Sequence, residues 1–288
     1  MRDWTSHTPY SDPGRHRELL RELPDRMELI CAAARNVIGH YRAEMVDLPE
    51  ERWDEIDSRW LEVILERDQR RHRGPLTEPR DPSSRVAGCC RDHTLLVVGA
   101  CRERGVPARS RVGFADYLIP GYHLDHVVAE YWDQGRWRRA DPEVVDVPFD
   151  PTDLPVGPAA PFQTAAEVWR SYRQGWLDAG RYCVFPGSEL AGPSLIRCYV
   201  IFEIAHRYGD ELLLWDEWGI IAAAGDEDLI DQLADLLIRA DAGDQVAEDD
   251  LAQRYATDDR LHPGDVVTQL SPYGRPSQRV QLSRPGAL

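Results

Sequence analysis

The 288-residue chain contains no lysine: all 34 residues of the Lys/Arg class are arginine. A GC-rich genome accounts for this bias, and for the accompanying wealth of Ala, Arg, Asp and Pro. No run of about 18 apolar residues occurs, so no membrane-spanning helix is expected. The start, Met1-Arg2-Asp3-Trp4-Thr5-Ser6-His7, lacks an apolar core and a small-residue cleavage site. It does not read as a secretory signal, and the cytoplasm is the expected address. Net positive charge is missing too. The formal charge is -16, which argues against a nucleic-acid surface. The acidic runs Asp226-Glu227-Asp228 and Glu248-Asp249-Asp250 read as solvated surface.

There is no Cys-x-x-Cys and no paired Cys/His knuckle, so a structural zinc site is not expected. No cofactor is expected either. The six cysteines are Cys31, Cys89, Cys90, Cys101, Cys183 and Cys198. A chain of this length needs no disulfide staples, and most of these thiols read as small buried hydrophobes.

Three residues stand out against that background. Cys90 opens a predicted helix that stops at Gly105, with Pro107 just beyond. A helix N-terminus lowers a thiol pKa through its unpaired N–H groups, and the thiolate is the nucleophile. Gly88 is expected to permit the sharp entry into this helix, and Arg91 to add positive charge. His126 lies at the start of a predicted strand over 126–132, and Asp141 ends the next one, over 136–141. Asp133-Gln134-Gly135 joins the two as a tight hairpin. With the turn centred on Gln134-Gly135, residue 126 faces 143 and 128 faces 141. His126 and Asp141 then share one face as diagonal neighbours, about 7–8 Å apart. An aspartate there can hold an imidazole in the orientation a thiol requires.

Neighbours compete for these roles. His93 lies one turn after Cys90 and could form a dyad with it. Cys89 precedes the helix and is expected to be structural, and Asp92 to favour the helix dipole. His123 and Asp146 have the wrong strand parity. Cys89, Cys90, His93, His123 and His126 could in principle bind metal, but their spacings fit no common zinc pattern.

The stretch Gly88-Cys89-Cys90-Arg91-Asp92, the segment Gly105 to Phe114, the strand His126-Val127-Val128-Ala129-Glu130-Tyr131 and the strand Trp137-Arg138-Arg139-Ala140-Asp141-Pro142 together resemble the transglutaminase-like superfamily. The resemblance covers residues 85–145. It implies an α+β fold with a papain-like core, a catalytic helix packed on an antiparallel sheet, and additional N- and C-terminal helices. It assigns Cys90 as nucleophile, His126 as base and Asp141 as orienter. His93-Thr94 departs from the family's aromatic or small apolar pair. The backbone N–H of Cys90 is one expected oxyanion donor, with Trp60 or Arg85 considered for a second. Glu211 to Gly219 is similar to a C-terminal extension of some bacterial members.

The implied function is cysteine-dependent acyl transfer or amide hydrolysis through a Cys90 thioester. The expected substrate is a peptide or a small acylated or amide metabolite, with amide-bond formation in specialised biosynthesis as one form. The absence of lysine has a second reading here, since such an enzyme would not cross-link itself. The alternative is a non-catalytic scaffold that binds a partner protein. Neither a nucleic-acid nor a membrane partner is expected.

The expected organisation is a loosely ordered N-terminus (1–25), a catalytic core (26–150) and a mostly helical C-terminal extension packed on it (151–288). Asp25 is expected to cap a helix running from Met27 to about His40. A second helix is predicted near 50–68, with Trp53, Ile56, Trp60, Leu61 and Ile64 as its apolar stripe. A basic loop over 70–84 follows. Strands are predicted near 108–118, 126–132 and 136–141, helices near 164–179, 193–207 and 226–240, and an irregular end from Asp258.

Overall fold

The computed structural model describes residues 3–223 and 225–283. Residues 1–2, 224 and 284–288, which fall in the expected N- and C-terminal segments, lie outside the described residues. In chain order come α1 (Arg17–Arg21), α2 (Met27–Val37), β1 (Ile38–His40), α3 (Leu61–Arg71), β2 (Val86–Gly88) and α4 (Cys90–Glu103). Then follow β3 (Ala108–Ala115), β4 (His123–Asp133), β5 (Arg136–Ala140), β6 (Phe162–Thr164), α5 (Ala165–Arg173), β7 (Tyr182–Cys183) and α6 (Gly192–Arg207). The chain closes with β8 (Asp216–Glu217), α7 (Glu227–Asp241), α8 (Gln245–Thr257), β9 (Val266–Gln269) and β10 (Gln278–Gln281). This is the expected α+β class. Two compact units are distinguishable. One runs through Ser110 and resumes over Val127–Leu154; the other comprises Arg111–His126 and Pro155–Ser283. The division falls inside β3 and β4, so both strands are shared. Among the described residues no helix is long and apolar enough to cross a membrane.

In the first unit the proline-marked start is pinned to the core. Tyr10, Leu20 and Leu23 are buried, and Tyr10 O accepts the Leu61 N–H at 2.8 Å. Helix α2 begins after Arg26 rather than Asp25 and has no side-chain cap. It stops at Val37, short of His40, because Ile38 turns extended and pairs in parallel with Val86. The helix expected over 50–68 is broken in two: a 3-10 turn spans Glu50–Asp57, and α3 starts only at Leu61. The break is Arg59, in the left-handed region at φ 34°. Its carbonyl accepts from Arg91 Nη2 at 2.5 Å. A tertiary bond to the first turn of α4 therefore overrides the local helical pattern.

Glu55 anchors the approach to α4. Its buried carboxylate accepts from Arg52 Nε at 2.6 Å, from Arg71 and from the Ala87 N–H of β2 at 3.0 Å. Burial alone would raise its pKa, but the two guanidiniums and the amide outweigh this and hold it at about 2. Gly88 then carries the chain into α4. Its role differs from the one expected. A Cβ at this position would lie 2.8 Å from Asp92 Oδ2 and 2.9 Å from Ile38 Cγ2, so close approach, not turn geometry, requires glycine.

The hairpin has the predicted register, with Ala129↔Ala140 through Asp133↔Arg136. Gln134 and Gly135 both take positive φ, at 49° and 81°, which matches the right-handed twist of the strands. The five-stranded sheet runs β5-β4-β3-β6, with β7 pairing β4. It is antiparallel at β4–β5 and β3–β6 and parallel at β4–β7. Helix α4 is tied to β4 through Thr94 Oγ1, which donates to Val127 O at 2.9 Å.

The second unit holds α5 to α8 around buried charge. Arg111 Nη2 pairs with Glu203 at 2.9 Å, and Arg207 Nη1 with Asp241 at 2.6 Å and its Nε with Glu248 at 3.2 Å. Glu248 is thus part of an internal network rather than a solvated run. Asp226, Glu227 and Asp228 are exposed, as expected, and the first two pair at the surface with Arg260 and Arg173. Two features escaped the sequence reading. One is α8, capped by Asp244, whose carboxylate accepts from Val246 and Ala247. The other is the three-stranded sheet β10-β9-β8, which includes part of the end expected to be irregular. In the 211–219 segment, Trp218 is buried and its Nε1 donates to Leu261 O at 2.8 Å.

Candidate active site

Cys90 is the first residue of α4, as expected, and is only 4% exposed. The cap of α4 is built around it. Asp92 Oδ2 accepts the Cys89 N–H at 2.9 Å, and Asp92 Oδ1 accepts from Arg91 Nη1 at 2.8 Å. Arg91 and Asp92 are both buried. Arg91 is therefore neutralised at close range and spans to Arg59 O; it does not lend free charge to the thiol. Asp92 does more than favour the dipole, because it closes the first turn.

His93 lies among backbone carbonyls. Its Nδ1 lies 3.0 Å from Cys89 O and its Nε2 3.2 Å from Ile38 O. The ring lies between these two carbonyls, one before α4 and one on β1, and a neutral imidazole donates to one of them. His123 also faces elsewhere. Its ring stacks on Tyr182 at 4.3 Å and 7°, and burial lowers its pKa.

His126, in β4, is 2% exposed and meets the Tyr117 ring edge-on at 6.1 Å. Its ring, the Cys90 thiol and the Glu143 carboxylate each offer one atom, and these atoms all lie within 4.8 Å of one another. Cys90 and His126 meet as expected, and Glu143 is the unexpected third member. The signal was present, since the hairpin register places 143 opposite 126.

Asp141 is fully buried, one residue beyond β5. Its N–H donates to Pro151 O at 2.7 Å, and its Oδ1 accepts the Glu143 N–H at 3.0 Å. Arg35 Nη1 holds the same bend through Pro142 O at 2.8 Å. Behind Glu143 stands His40, with Nε2 at 4.0 Å from Glu143 Oε1; the two side chains are 16% and 15% exposed. The β1–β2 register sets His40 opposite Gly88, two residues before the thiol.

Of the side chains considered as a second oxyanion donor, Arg85 pairs with Glu44 at 2.9 Å. Trp60 keeps a buried indole N–H with no hydrogen-bond acceptor among the described residues. Four of the other thiols, Cys31, Cys101, Cys183 and Cys198, are poorly suited to attack. Burial pushes Cys31 and Cys101 up to about 12, and also raises Cys183 and Cys198.

Residues 65–142 match the model of the Transglutaminase-like superfamily. No curated protein matches the chain. One solved structure does, "a Putative Cysteine Protease from Cytophaga hutchinsonii", at 18% identity and a TM-score of 0.30, over 49% of this chain and 40% of that one. The aligned part thus spans well under half the length of that protein.

Proposed function

Because residues 65–142 carry a transglutaminase-like core, we propose that this protein is a cysteine enzyme that opens amide or acyl bonds through a thioester on Cys90. The carrying observation is the meeting of the Cys90 thiol, the His126 ring and a carboxylate within 4.8 Å. His126 takes the thiol proton. The thiolate then attacks the carbonyl carbon, and the oxyanion that forms is received by the backbone N–H of Cys90 at the helix start. Trp60 supplies the second donor in this reading, since its neighbour Arg59 bonds the first turn of α4. As the C–N bond breaks, the imidazolium returns its proton to the leaving amine. Water or a second amine then attacks the thioester, His126 takes that proton, and the thiol is restored.

Asp141 orients the imidazole in this scheme. The substrate class is a peptide or a small acylated or amide metabolite. Intact-mass measurement with a panel of acyl donors tests the proposal. The expected result is an added acyl mass, mapped to Cys90, that decays in water or with an amine. A chain that forms no adduct with any donor while alkylating normally at Cys90 would instead fit a scaffold.

A further inference from the structure

We propose that Cys90, His126 and Glu143 form a zinc-binding site that takes the thiol out of action. Each side chain offers one ligand atom, and the three atoms lie within 4.8 Å of one another. Zinc binds Cys sulfur at about 2.3 Å, His nitrogen at about 2.0–2.1 Å and carboxylate oxygen at about 2.0–2.2 Å, in tetrahedral geometry. The ligand atoms of such a tetrahedron stand roughly 3.3–3.8 Å apart. Closing from the present spacing asks only for a small inward movement. Glu143 can supply it, as a partly exposed side chain with three rotatable bonds, set at a bend beyond β5.

The donor set selects the metal. Thiolate and imidazole suit zinc, whereas calcium and magnesium take all-oxygen shells. Cys89, Cys90, His93, His123 and His126 fit no common zinc spacing. Among them, His93 lies against two carbonyls and His123 against Tyr182. The carboxylate that completes the set comes from beyond the hairpin, where no short motif would reveal it. His40, 4.0 Å behind Glu143, is placed to steady that carboxylate. The partial exposure of His40 and Glu143 marks the side from which an ion enters. Three protein ligands leave the fourth position to water.

Binding exchanges the S–H bond for an S–Zn bond and releases one proton. The sulfur lone pair is then held by the metal, and a chelator restores it. The inference uses the meeting of the three side chains and does not depend on acyl transfer.

Cobalt(II) is the probe, added to the full chain after treatment with a chelator. One equivalent is expected to give a thiolate-to-metal charge-transfer band in the near ultraviolet and the strong visible bands of tetrahedral cobalt. Zinc should displace it. Glu143→Gln and His126→Ala should each weaken zinc competition at least about tenfold. Cys90→Ser should lose the charge-transfer band, and so should the iodoacetamide-capped wild-type chain if that variant misfolds. A chain with no charge-transfer band overturns the proposal. A band that survives Cys90→Ser, or zinc competition unchanged by both Glu143→Gln and His126→Ala, does the same. Cobalt binding without any thioester would defeat the acyl-transfer reading and leave this one standing.

Discussion

The His126 ring and the Glu143 carboxylate each offer an atom within 4.8 Å of the other at one end of the hairpin. The ladder pairs Ala129 with Ala140, and three residues further along each arm lie His126 and Glu143. β5 ends at Ala140, so no backbone ladder carries the pairing that far. The bend at Pro142, held by Arg35, nevertheless keeps the carboxylate beside the imidazole. Two carboxyl groups, Asp141 and Glu143, thus stand at one end of the hairpin. They separate by mutation. Asp141→Asn is expected to lower turnover on the order of ten- to ten-thousand-fold, with the fold retained. Glu143→Gln is expected to cost less than about tenfold. Steady-state kinetics with thermal melts on both variants checks this, and the reverse order would make Glu143 the orienter.

Thiol labelling should be selective. A limiting dose of iodoacetamide at neutral pH is expected to modify Cys90 first. Cys31 and Cys101, raised to about 12 by burial, should stay unlabelled until the chain unfolds. Peptide mapping that finds Cys89 modified ahead of Cys90 would reassign the nucleophile.

His93 and His126 are expected to fail differently. His93→Ala removes a buried ring and the one hydrogen bond a neutral imidazole donates to a backbone carbonyl, and should lower stability by about 1–3 kcal/mol. The alkylation rate per folded molecule should hardly change. His126→Ala should slow alkylation at pH 6–7 with a smaller effect on the melt. Parallel loss of thiol reactivity in both variants would return His93 to the site.

Acid should loosen the approach to α4. Glu55 sits at about 2 when folded, against an ordinary 4.5. Above pH 4.5 the carboxylate is ionised in both states, and its stabilisation is fully present. As pH falls from 4.5 towards 2, the unfolded chain takes up the proton first and this stabilisation drains away, on the order of 3 kcal/mol. Glu55→Gln should be less stable at neutral pH and show a flatter acid limb. Denaturant melts across pH 2.5–6 give the measurement; identical slopes in both proteins would show that Glu55 has no such role.

The parts of the site legible in the sequence were those fixed by local chemistry. A helix start at Cys90 follows from its flanking residues, and the hairpin register from Gln134-Gly135. The break at Arg59 was not legible, because its cause is a hydrogen bond from Arg91, distant in sequence. Helix α8 was hidden by acidic residues that read as solvent-facing, whereas Glu248 turns inward to Arg207. Strands β8 to β10 are short and largely polar, so they lack the alternation that reveals a half-buried strand. Glu143 was missed for a narrower reason. The register sets 143 opposite 126, but the resemblance gives the orienting role to the aspartate that ends the strand, and Glu143 lies outside that pattern.

The crowding at Gly88 ties the history of three positions together. A methyl group there must displace both the Asp92 carboxylate that closes the first turn of α4 and the Ile38 side chain of the neighbouring strand. Residue 88 therefore cannot drift alone. A smaller residue 38 relieves one of these two contacts and leaves space that favours an alanine at 88, although the Asp92 carboxylate must still move. The effect of a mutation at one of these sites should then depend on which residue occupies the other. This epistasis would be visible as non-additive melting shifts in the double mutant.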